Sequence, residues 1–133
     1  MKKLLLMAMF LIGALNTMLA QKQAEIKFDK LSIDLGTFPE SQPIQKCAFE
    51  FTNVGDAPLI INQASASCGC TVATFTKEPV LPGQRGKIEV TYNGKKFFSS
   101  KFKKTITVRT NGKTELTRLV ISGEMVEDAK KTN

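Results

Sequence analysis

Residues 45–53 read QKCAFEFTN, and their alternation decides the fold class. In an extended strand Cys47, Phe49 and Phe51 share one face, while Lys46, Ala48 and Glu50 share the other. A helix would scatter both sets around its circumference, so this stretch reads as a half-buried strand. The same pattern continues downstream. KIEVTY (87–92) sets Ile88, Val90 and Tyr92 against Lys87, Glu89 and Thr91, and KTITVRT (104–110) turns Ile106 and Val108 inward. Upstream, Ile26 and Phe28 open a strand, and Ile33, Leu35 and Phe38 continue it after a break at Asp29-Lys30. LIINQASAS (59–67), TVATF (71–75), with Thr71 as a strand residue, and LTRLVISGEMV (116–126) complete the set.

Turns punctuate these runs. Pro39 and Pro43 mark a bend, and NVGDAP (53–58) is a turn. There Asn53 bonds its own backbone, and Gly55 supplies a positive φ. Pro82-Gly83 suits a turn with positive φ at its second residue. Asn111-Gly112 predicts a tight, two-residue primed hairpin. No helical pattern follows residue 20. About seven short strands at this spacing predict an all-β fold, an immunoglobulin-like antiparallel β-sandwich. Its core is Phe49, Phe51, Ile88, Val90, Tyr92, Ile106, Val108 and Ile121. The chain has no tryptophan, and no long-range cysteine pair brackets one, which argues against an antibody-like domain.

The first twenty residues read as a secretory signal peptide. Lys2 and Lys3 precede an apolar run from Leu4 to Leu15, then the polar break Asn16-Thr17 and a small residue, Ala20, before the expected cut. The run falls short of the ~20 residues a membrane helix needs. Met18 is larger than the residue usually found three places before a cut. The residue directly after Ala20 is Gln21, not cysteine, so a lipoprotein anchor is not indicated. The expected organisation is a signal peptide (1–20), one sandwich domain (21–126) and a polar tail (127–133). The product is expected to be exported and soluble, in a periplasm or outside the cell, with no later membrane span.

The formal net charge is +7. Much of it lies between Thr91 and Thr114, where Lys95, Lys96, Lys101, Lys103, Lys104, Arg109 and Lys113 occur without an acid. Two readings stand. The first is an anion-binding surface made by Lys95, Lys96, Lys101, Lys103 and Lys104, suited to anionic glycans, lipid headgroups or acidic proteins. The second is a solvated hairpin whose lysines protect strand edges. Nucleic acid is a poor fit, because no nucleic-acid-binding motif is present.

Several motifs occur in order: FTNVGDAPLII (51–61), SASCGCTVATF (65–75), EPVLPGQRG (78–86), KIEVTYNGK (87–95), TITVRTN (105–111) and ISGE (121–124). Together they resemble the bacterial domain-of-unknown-function family fifteen-seventy-three, with its SCGCT signature, over roughly Phe28 to Val126. The resemblance implies a sandwich like the immunoglobulin-like, PapD- and Hydin-type domains. It implies no reaction, and exported members are common in Bacteroidetes-like bacteria. Cys47 lies outside the signature, so the resemblance assigns it no role.

Cys68 and Cys70 pose the sharpest chemical question. Residues two apart in a strand have Cα atoms ~6.6 Å apart, whereas a disulfide needs Cβ atoms ~3.8 Å apart. A bridge therefore requires a kink, which Gly69 permits, and it would be more readily reduced than a structural disulfide. Three readings stay open: a Cys68–Cys70 bridge, a bridge from Cys47 to one of the pair, and free thiols with or without a soft metal such as Cu(I). The chain has no histidine, so a Ser-His or Cys-His pair is unavailable and a four-ligand zinc site is not evident. No enzyme activity and no cofactor are expected. The expected function is a non-catalytic binding or structural module of the bacterial cell envelope, with an unknown protein or glycan partner. The alternative is a thiol redox or copper-handling protein using Cys68 and Cys70.

Overall fold

The computed structural model describes residues 21–128. The expected signal peptide and most of the expected tail lie outside these residues. Eight strands follow one another: β1 (Ile26–Phe28), β2 (Ser32–Pro39), β3 (Ile44–Asn53), β4 (Ile61–Ala66), β5 (Thr71–Phe75), β6 (Arg85–Asn93), β7 (Ser100–Thr110) and β8 (Leu116–Val126). They form two four-stranded sheets, β1-β3-β6-β5 and β2-β8-β7-β4, packed as a sandwich. No helix of the described residues is long and apolar enough to cross a membrane.

The expected immunoglobulin-like sandwich is thus present, with eight strands in place of about seven. One pairing departs from the antiparallel expectation: β2 runs parallel to β8, from Ser32 opposite Val120 to Pro39 opposite Val126. Side-chain parity sets which face a residue takes and is silent on strand direction, so no sequence pattern announced this pair.

Alternation in β3 and β6 builds the core. Phe49 lies opposite Ile88 and Cys47 opposite Val90. Phe49, Phe51, Ile88, Val90, Tyr92, Ile106, Val108 and Ile121 are all buried, as their spacing predicts. Phe51 meets Phe28 edge-on at 5.5 Å. It lies over Gly86, where an added Cβ would come 2.5 Å from the ring tip. Nearer the other end of the sandwich Tyr92 stacks on Phe102 at 3.9 Å, with Phe38 edge-on to both.

Of the two glycine turns in these loops, one forms as expected and the other is corrected. Pro82-Gly83 does form its turn, with Gly83 at φ 82. Asn111-Gly112, however, adopts no positive φ, and the β7–β8 loop is wider than two residues, closed by Thr110 N–H donating to Glu115 O. Tertiary partners override the local preference. Asn111 accepts from Ile60 N–H at 2.8 Å and donates to Pro58 O at 3.1 Å, while Gly112 sits close to Ala24, where a Cβ would meet Ala24 O at 2.9 Å. Replacing both with valine is therefore expected to cost about 1–3 kcal/mol through lost bonds and crowding. Thermal unfolding checks this, and an unchanged midpoint would contradict it.

Asn53 and Gly55 are also more than turn residues. Asn53 is fully buried, and its amide makes four hydrogen bonds. It accepts from Gly55 N–H (3.0 Å) and Glu25 N–H (3.3 Å) and donates to Ala57 O (2.7 Å) and Val80 O (2.9 Å). Gly55 has no positive φ. It is needed because the backbone of Gln23–Glu25 passes where a Cβ would sit.

Candidate functional site

The chain crosses from β4, at the edge of one sheet, to β5, at the edge of the other, through Ser67-Cys68-Gly69-Cys70. Backbone bonds pin both arms of this corner. Ser67 N–H donates to Thr105 O (2.9 Å), and Asn93 N–H donates to Cys70 O (2.8 Å). The structure joins Cys68 and Cys70 in a disulfide with Cα atoms 5.3 Å apart, closer than the ~6.6 Å of an extended pair. Gly69 forms the kink and faces open space: an added Cβ would have nothing within 4 Å. The hydroxyl of Thr71, a buried residue, lies 3.8 Å from Cys68 Sγ and 3.6 Å from Cys70 Sγ.

Such a bridge gives the fold little. Closing a three-residue loop restricts the unfolded chain by about 1.6 kcal/mol, against about 3 for a fifteen-residue loop. Cys47 stands free on β3, and burial pushes its thiol pKa up, leaving a poor nucleophile near neutral pH. Among the described residues no three His, Cys, Asp or Glu side chains gather to hold a metal.

The β6–β7 loop faces the corner. Gly69 and Cys70 line one wall of a cleft of about 440 Å³, and Asn93, Lys95, Lys96 and Phe97 complete it. Lys104 Nζ sits 5.6 Å from the centre of the Phe97 ring, close enough for a cation–π contact. Beside it Phe98 is 91% exposed. The five lysines grouped by sequence therefore do not make one patch. Lys95, Lys96 and Lys104 gather around Phe97. Lys101 and Lys103, on β7, lie opposite Glu124 and Ser122 of β8, in a depression that also includes Asp34. The alternation of β7 separates Lys103 from Lys104. Sequence reasoning missed Phe97 and Phe98, whose signal was a pair of aromatics inside a polar loop.

β5 also presents a free edge. The bonds from Asn93 N–H to Cys70 O and from Thr76 N–H to Lys87 O (3.2 Å) set the ladder's phase. With Thr71 opposite Tyr92, Val72 and Thr74 then bond to β6, while the N–H and C=O of Ala73 and Phe75 point away from it. The other edges are guarded: β1 is three residues long and carries Lys27, β2 has a register shift and Pro39, and β4 is irregular between Ile61 and Gln63. β5 has no charge, proline or bulge, which are the usual protections. Its outward Val72 is 59% exposed.

The family model described as "Protein of unknown function (DUF1573)" matches residues 26–125. No curated protein sequence matches the chain. Among solved structures, a protein of unknown function from Porphyromonas gingivalis W83 is similar over 77% of this chain and 46% of its own, with 17% identity and a TM-score of 0.63. The human CEP192 ASH / PapD-like domain is similar over 80% of this chain and 89% of its own, with 12% identity and a TM-score of 0.63. The Pseudomonas aeruginosa CupB2 chaperone is similar over 79% and 57% respectively, with 12% identity and a TM-score of 0.53. The chain thus spans about half the length of the Porphyromonas gingivalis protein. At these identities the likeness is one of fold.

Proposed function

This chain belongs to the DUF1573 family, and from that premise we propose that it is an exported, non-catalytic binding module of the bacterial cell envelope. Its partner is an extended, acidic protein segment that adds as a strand to β5 and reaches the cleft at Lys95, Lys96 and Lys104. The observation that carries this reading is the unguarded β5 edge beginning beside a cationic, aromatic cleft. Strand addition supplies main-chain bonds of low selectivity, and charge at one end supplies register. Chaperone-type neighbours of the same fold support protein binding as the class. The reading of residues 1–20 as a signal peptide supports export. The copper-handling alternative has less support, because among the described residues Cys68 and Cys70 belong to no group of three or more His, Cys, Asp or Glu side chains.

The test uses a fluorescent Thr-Val-Thr-Val-Thr-Glu-Glu peptide and its lysine-ended counterpart, followed by anisotropy. The acidic peptide is expected to bind, with affinity falling steeply as salt rises. Reversing Lys95, Lys96 and Lys104 to glutamate is expected to weaken it at least about tenfold, whereas reversing Lys101 and Lys103 changes it little. Ala73→Pro removes an outward N–H and leaves the β6 ladder intact, so it is expected to lose peptide binding with little change in thermal stability. Equal affinity in wild type and all variants would overturn the reading. Retention on heparin without peptide binding would assign the cleft to an anionic glycan instead.

A further inference from the structure

We infer that the Cys68–Cys70 bridge is a thiol–disulfide exchange centre whose co-reactant is a dithiol entering the Lys95–Lys96 cleft. The inference does not rest on strand addition at β5, since it needs only the corner and the cleft. Four observations converge on it. The bridge closes a three-residue loop, so its loss removes little restriction from the unfolded chain. Gly69 leaves open space beside it, and Cys70 borders the cleft directly. Lys95 and Lys96 line that cleft as well, where their charge favours an incoming thiolate. Finally, Ser67 and Cys70 are held by backbone bonds to β7 and β6 that do not involve sulfur. The bridge can therefore open and reclose without dismantling either sheet.

The chemistry balances with a dithiol as reductant. Its thiolate attacks Cys70 Sγ, in the one bridge cysteine that lines the cleft, along the S–S axis. The S–S bond breaks, and Cys68 leaves with the electron pair as a thiolate. The Thr71 hydroxyl, 3.8 Å from that sulfur, is placed to donate to it before it takes a proton from water. The co-reactant's second thiol, deprotonated, then attacks its own sulfur in the mixed disulfide and releases Cys70, which is protonated in turn. Two electrons and two protons pass to the protein, and the dithiol becomes a disulfide. The reverse path oxidises Cys68 and Cys70 again.

The experiment uses the folded chain carrying Cys47→Ala, so that only two cysteines are counted. Dithiothreitol is added in graded amounts, thiols are alkylated and weighed by mass spectrometry, and the thermal melt of each redox form is recorded. Both forms are expected to melt cooperatively, and the bridge is expected to reduce and reoxidise without denaturant. With oxidised glutathione as probe, the Cys68→Ala variant is expected to trap a mixed disulfide at Cys70 at least tenfold faster than Cys70→Ala traps one at Cys68. Lys95→Glu/Lys96→Glu is expected to slow trapping of this anionic probe several-fold. Should the bridge yield only after denaturation, or should the two single-cysteine variants react at the same rate, the inference falls. The peptide-binding outcome above is read separately and does not depend on these rates.

Discussion

Asn53→Ala is expected to lower the thermal midpoint by about 15–30 °C. The amide satisfies two N–H groups and two carbonyls at once, from Glu25, Gly55, Ala57 and Val80. Alanine leaves all four without that partner in a region where water enters poorly. Each stranded buried group costs about 1–3 kcal/mol. Because Val80 O still accepts from Leu59 N–H (2.8 Å), and Gly55 and Glu25 lie nearer solvent, a total of about 3–4 kcal/mol is expected. For a domain of this size one kcal/mol moves the midpoint by about 4–8 °C. The variant also loosens the docking of β1, which Val54 N–H to Glu25 O (2.8 Å) and Asp56 N–H to Gln23 O (2.9 Å) hold in place. Faster amide exchange in residues 23–28 than in β6 is the second readout. A midpoint within a few degrees of wild type would show that water or a neighbouring group takes over the amide's bonds.

Phe51→Ala is expected to cost about 3–5 kcal/mol, as truncation of a large core aromatic does. The ring is fully buried, packs edge-on against Phe28 and fills the space above Gly86. Gly86 has no side chain to move into the void, so relaxation is limited. The denaturant midpoint should fall while the slope of unfolding stays the same. Phe98→Ala is the comparison. Its ring is almost wholly in solvent, and the change should stay within about 0.5 kcal/mol. If the two substitutions cost the same, the strand parity that places Phe51 inside is wrong.

That parity was readable because β3, β6 and β7 each bury one face and wet the other, which writes a period of two into the sequence. Pro82-Gly83 was readable because its constraint is local: the backbone itself demands a residue that tolerates φ 82. Asn111-Gly112 misled for the opposite reason. Its meaning is set by Ile60, Pro58 and Ala24, which the dipeptide cannot name. The candidate site divides in the same way. The spacing of Cys68 and Cys70 left three readings open, because a bridge between them depends on a local kink that Gly69 permits but does not dictate. The cleft that Cys70 borders could not be read, because it depends on a loop twenty-odd residues downstream. Lys95 and Lys104 converge there on Phe97, while Lys101 and Lys103 leave for another face.

The parallel partnership of β2 and β8 also bears on the timing of assembly. Among the described residues β2 has β8 as its one sheet neighbour, and Ser32 meets Val120, almost the whole domain later. A chain appearing from its N terminus must therefore hold β2 without its sheet partner until the final strand arrives. Closure across such a separation is slow, in the millisecond-to-second range of non-local β topologies. Because β8 lies between β2 and β7, its arrival completes that sheet in one event, and a chain cut before Leu116 would keep the strands of the other sheet, β1-β3-β6-β5, but leave β2 unpaired.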